Sequence, residues 1–205
     1  MKTVIVTGLI GSGKSAVCVL LRERGIPVYN SDERTKRLYD RRPSLVHRLE
    51  KCFRTRLRDR DGRLDRRRLS EIIFADDRAR EQLEAIVFPQ VLEDFKRWRR
   101  RQKGCPFVVL ESAVILSKPI FRGLAQAVVI VEAPEEVRLQ RVMARENAPE
   151  AAVRARMVAQ HIPSAPEYIR VVNDGSREAL ASAVELVFFD NNSYLCKNLI
   201  SNHHL

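Results

Sequence analysis

The sequence predicts an α/β fold, a parallel β-sheet flanked by helices, with a long helical insertion. Three observations predict it. Short apolar, β-branched runs alternate with stretches of helical spacing along the 205 residues. A complete G-x-x-x-x-G-K-S segment, Gly8 to Ser15, stands between the first such run and the first helical stretch. Some seventy charged, arginine-rich residues then separate the second run from the third.

Taken in order, Thr3–Thr7 reads as a strand buried on both faces, because its apolar run is short and continuous. Lys14–Glu23 reads as a helix with Val17, Leu20 and Leu21 on one side, stopped by Gly25 with Pro27 beyond. Ile26–Tyr29 is the second strand. The charged stretch Glu33–Lys103 is helical in pattern, and Pro89 predicts a kink or break in its last helix, Leu83–Trp98. Phe107–Leu110 and Ala127–Val131 are the third and fourth strands, far too short to cross a bilayer. Pro134-Glu-Glu opens a helix with acids at its positive end. Residues 141–167 are helical up to Pro163 and Pro166 and fit a lid, or equally a plain surface hairpin. Tyr168–Val172 is a weaker fifth strand. The expected organisation is a core of residues 1–32, 104–140 and 168–189, a helical insert of 33–103, a lid of 141–167, and a polar, disordered tail of 190–205.

Composition narrows the function classes. A chain 45% hydrophobic buries a real core, and no segment has the form of a secretory signal, so the expected compartment is the cytoplasm, with no membrane partner. Four dispersed cysteines, Cys18, Cys52, Cys105 and Cys196, read as free thiols rather than a zinc site, and His203 and His204 complete no ligand set. The net charge of +11 would attract any polyanion. Solvated helix faces are its first explanation, a phosphate-rich ligand the second and nucleic acid the last.

The glycine-rich segment carries the chemistry. Gly8-Leu9-Ile10-Gly11-Ser12-Gly13-Lys14-Ser15 satisfies the P-loop pattern in full and lies between a buried strand and a helix start that includes Ala16. Backbone N–H groups of such a loop wrap the β-phosphate of ATP, and the helix start adds donors and partial positive charge. Lys14 would reach the β- and γ-phosphates and the Ser15 hydroxyl would ligate Mg²⁺. A guanine-reading Asn-Lys-x-Asp is absent, and no Asp-x-x-Gly follows the third strand. Within P-loop NTPase-type folds, that leaves the small-molecule kinases.

Five segments in order resemble the dephospho-CoA kinase family. They are the P-loop after Thr7; Gly25-Ile-Pro-Val-Tyr-Asn-Ser-Asp32; Asp61-Gly-Arg-Leu-Asp65-Arg66 with Ile73-Phe74-Ala75; Glu132-Ala-Pro through Arg141-Val-Met-Ala-Arg145; and Val171-Val-Asn173-Asp174-Gly175. The resemblance runs to about Val187. It implies ATP·Mg²⁺-dependent phosphorylation of the ribose 3′-hydroxyl of dephospho-CoA. Asp32 would be the general base, with helix capping as its alternative. Arg138, Arg141 and Arg145 share a helix face; the resemblance singles out Arg141 as the lid arginine and Arg145 as a second candidate, leaving Arg138 on the surface. Thr7, Arg66, Arg68 and Glu111 are the remaining substrate candidates. Glu111 could also hold Mg²⁺ through water, accept a bond from Lys14 or Ser15, or serve structure alone. The chain departs from the family at Leu9 (a glycine there), Asn30 (an acid), Phe88 (a histidine) and Ser117 (an acid). Another small-molecule P-loop kinase, or a nucleotide-dependent nucleic-acid binder, are the competing readings.

Overall fold

The computed structural model describes residues 1–162, 167–193 and 195–197. Two compact units make up the chain, Met1–Tyr29 with Arg99–Leu205, and Asn30–Trp98.

The first unit carries a five-stranded sheet of order β2-β3-β1-β4-β5. Its strands are β1 Lys2–Thr7, β2 Val28–Asn30, β3 Phe107–Glu111, β4 Ala127–Glu132 and β5 Ile169–Val172. β1 pairs in parallel with β3 and β4, and β4 with β5. Val4, Val6, Phe107, Val109, Val129, Val131 and Val171 point to one face, where they pack with Val17, Cys18 and Leu21 of α1 (Lys14–Glu23) and Leu180, Val184 and Phe188 of α8 (Arg177–Phe188). Ile5, Val108, Leu110 and Ile130 alternate with them and are also buried. Burial on both faces is why these runs carry no polar alternation. β5 is an edge strand with Arg170 and Val172 exposed, which explains its weaker signal. α6 (Glu135–Glu146) and α7 (Glu150–Val158) form a hairpin with its own small core of Leu139, Val142, Val153 and Met157. α6 runs unbroken across positions 140 and 141, so no element boundary marks the expected start of the lid. Pro163, Pro166, His203 and His204 lie outside the described residues. The tail does not begin as a loose polar end: Leu195 and Cys196 are buried, Leu195 within the main core.

The second unit is helical, with α2 Ser31–Arg41, α3 Pro43–Phe53, α4 Arg66–Ala75 and α5, which continues to Arg99 from Asp77. Of the kink or break expected at Pro89, the break does not occur: α5 is one helix of 23 residues. Pro89 and Ala85, whose carbonyl the proline leaves unbonded, are both exposed, while Val87, Val91 and Phe95 bury the opposite face. Exposure leaves the freed carbonyl open to solvent, and packing of the opposite face holds the helix through the proline. Asp61-Gly62 forms a tight turn between the bridged residues Arg58 and Leu64, with the Asp59 carboxylate accepting from the N–H groups of Asp61 and Arg63. Asp65 then caps α4 by accepting from Arg68 N–H at 3.0 Å.

Candidate active site

Parallel strands bring their C-terminal ends to one edge of the sheet, and the candidate residues of the first unit gather there. Thr7 ends β1, is buried, and leads into the loop. The loop turns tightly, Ser12 N–H donating to Leu9 O at 3.1 Å, and passes into α1, where Ala16 and Val17 donate to Gly13 O. Gly13 is the N-cap of α1 with φ +95°, a left-handed conformation that a side chain would strain. The Lys14 ammonium lies over the loop and donates to Gly8 O at 2.9 Å and Leu9 O at 3.2 Å.

Ser15 and Glu111 meet. The Ser15 hydroxyl donates to Glu111 Oε1 at 2.8 Å, joining the first turn of α1 to the end of β3. Glu111 is a buried carboxylate, and the Cys18 thiol one helical turn further along α1 also hydrogen-bonds to it. Burial, reinforced by that carboxylate, pushes the Cys18 thiol far above its ordinary range, so it is a neutral donor rather than a nucleophile.

Arg141 and Asn173 hold the other side of the loop. Arg141 donates to Asn173 O at 2.9 Å and to Asn173 Oδ1 at 3.4 Å. Asn173, buried just beyond β5, donates through Nδ2 to Ser12 O at 2.8 Å. A methyl group at Gly13 would lie 2.0 Å from that Nδ2 and 4.0 Å from an Arg141 nitrogen, so Asn173 packs against the loop and links Arg141 to it. Arg145, by contrast, is exposed and pairs with Glu146; no described contact joins it to the loop.

Arg138 is corrected. It is buried rather than on the surface, donating to Ala133 O at 3.2 Å and Ile10 O at 3.5 Å. Its spacing gave no hint of this, since the face it lies on was chosen by packing against the loop. Sequence reasoning also gave no role to Gln160, whose amide oxygen accepts from Ile10 N–H at 2.7 Å across 150 residues. Asn173 had a readable signal, a polar Asn-Asp-Gly turn directly after a strand. Gln160 had none.

In the second unit, Asp32 is exposed in the first turn of α2. Asn30 is the N-cap, its side chain accepting from Glu33 N–H at 2.9 Å, so the capping alternative for Asp32 is corrected. Arg66 pairs with Asp40 at 3.2 Å, and Arg68 donates to Thr55 Oγ1 at 2.8 Å. Both are tied to their own unit. Ser117, where the family has an acid, closes a 3₁₀ turn by donating to Val114 O at 2.9 Å.

The profile of the dephospho-CoA kinase family matches residues 2–170, and the matched stretch contains every residue just placed except Asn173. The chain belongs to the dephospho-CoA kinase family. A dephospho-CoA kinase from Porphyromonas gingivalis is 39% identical over 160 residues, 78% of each chain. One from Frankia casuarinae is 37% identical over 194 residues, covering 93% of this chain and 83% of its own. A crystal structure from Thermus thermophilus superimposes with a TM-score of 0.75 at 34% identity, over 90% of this chain and 94% of the other. The dephospho-CoA kinase from Campylobacter jejuni shares the fold at 22% identity, with a TM-score of 0.60 over 90% and 94% of the two chains.

Proposed function

We propose that this chain transfers the γ-phosphoryl group of ATP to the ribose 3′-hydroxyl of dephospho-CoA, with Asp32, Lys14 and Arg141 dividing the work. ATP-dependent phosphorylation of dephospho-CoA to coenzyme A follows from family membership. In the proposed division, Asp32 accepts the proton of the 3′-hydroxyl as its oxygen bonds to the γ-phosphorus. The bond from that phosphorus to the β–γ bridging oxygen breaks, and ADP leaves. Lys14 and Arg141 neutralise the charge that spreads over the phosphoryl oxygens. Thr7, Arg66 and Arg68 are assigned to the acceptor, Arg145 to the nucleotide.

The single observation that carries the reading is the linkage Arg141–Asn173–Ser12, which draws a guanidinium onto a complete P-loop. The Ser15 hydroxyl and the Glu111 carboxylate, 2.8 Å apart, form the all-oxygen donor set that suits Mg²⁺. Ser15 would ligate the ion directly and Glu111 through water. When bound, the ion neutralises phosphate charge and orients the β- and γ-phosphates.

The test is ADP release from ATP and Mg²⁺ with and without dephospho-CoA, with the product weighed by mass spectrometry. Acceptor-dependent ADP and a product heavier by one phosphoryl group are expected. Turnover with another alcohol but not with dephospho-CoA would overturn the reading.

A further inference from the structure

The P-loop apex is held from outside the loop. Ile10 makes three separate attachments, all to the α6–α7 hairpin and the residues that leave it. Its side chain packs against the hairpin core of Leu139, Val142, Val153 and Met157. Its N–H donates to Gln160 Oε1 at 2.7 Å. Its carbonyl accepts from the buried Arg138, which is itself anchored at Ala133 O. The next residue, Gly11, lies so close that a methyl group there would be 2.5 Å from Arg138 O. Backbone therefore touches backbone at this point.

We infer that Gln160 is a positioning residue for nucleotide binding: it fixes the P-loop apex to the hairpin that carries Arg141. The chemistry is specific. Ile10 N–H is a donor, so the glutamine must present its oxygen, and no other atom of that side chain can do this. Arg141 stands three residues beyond Arg138 on the same helix and reaches the loop's other side through Asn173. Two ties, one at Ile10 and one at Ser12, thus set the height of the Arg141 guanidinium relative to the loop's N–H groups. Without the Gln160 oxygen, Ile10 N–H loses its partner and the apex can turn away from the geometry that phosphate needs. Gln160 acts through the loop and not on the reacting atoms.

The inference rests on the P-loop binding ATP, and an ADP titration tests it without any acceptor. Gln160→Met keeps the length and removes the accepting oxygen; Gln160→Glu keeps an accepting oxygen. Expected for Gln160→Met is ADP binding weaker by about tenfold, the loss of one hydrogen bond to a backbone donor. The KM for ATP should rise in parallel, with the KM for dephospho-CoA unchanged. Gln160→Glu should recover most of the ADP affinity. ADP affinity of Gln160→Met within about twofold of the unchanged chain would overturn the inference. So would a fall in the unfolding midpoint with both KM values moving together, or Gln160→Glu behaving as Gln160→Met does. If the unchanged chain bound ADP but did not phosphorylate dephospho-CoA, the proposed acceptor would fail and the positioning role would still be tested.

Discussion

Asp32 is exposed at the second position of α2, and its carboxylate is not consumed by capping, because Asn30 already accepts from Glu33 N–H. One oxygen of that carboxylate accepts a long bond from Ser31 Oγ at 3.5 Å, and the other is available to take a proton. Asp32→Asn should keep the fold and ADP affinity while turnover falls by about 10²–10⁴, the usual weight of a general base. Near-normal turnover in that variant would remove Asp32 from the mechanism. Gly13 makes the opposite kind of residue-scale demand, since it is needed for what it lacks. Its φ of +95° and the 2.0 Å approach of Asn173 Nδ2 leave no room for a Cβ. Gly13→Ala should weaken ADP binding by about five- to thirtyfold, measured by titration, if the αL strain of about 1–2 kcal/mol is relieved by turning the loop out of its binding geometry. Unchanged affinity would show that Asn173 yields freely and does not brace the loop.

Among the elements, α2 shows how a departure from the family is absorbed. Asn30 stands where the family has an acid, and either side chain can accept the helix's orphan N–H. Asn30→Ala should therefore lower stability by about 1 kcal/mol in urea unfolding, whereas Asn30→Asp should be neutral within a few tenths. Equal losses in both would mean the residue matters for something other than its acceptor. α5 teaches the complementary lesson. Pro89 is a helix breaker by local rules, yet the helix passes through it, because its apolar face is buried on both sides of an exposed proline. Strand placement along β1, β3 and β4 was legible because burial on both faces writes a continuous apolar run. β5 was fainter because an edge strand needs less of one.

For the molecule as a whole, the charge of +11 is spread through local pairs, such as Arg34 with Asp94, Arg58 with Glu50 and Arg154 with Glu150, yet 37 basic residues against 26 acidic ones leave an excess that pairing cannot cancel. That excess should draw in polyanionic substrates, so kcat/KM for dephospho-CoA should fall as ionic strength rises, with kcat nearly constant. A flat salt profile would mean that the basic surface plays no part in capture. By itself, the sequence determined the α/β class, the strand order along the chain and the P-loop, because buried strands, helix periodicity and glycine spacing are local signals. It also named Lys14, Ser15, Asp32 and Arg141 as candidates. Only the tertiary structure decided that Arg138 is buried and that Gln160 and Asn173 hold the loop. Those contacts join residues up to 161 positions apart, and no local pattern encodes which distant side chain will meet a given backbone N–H or carbonyl.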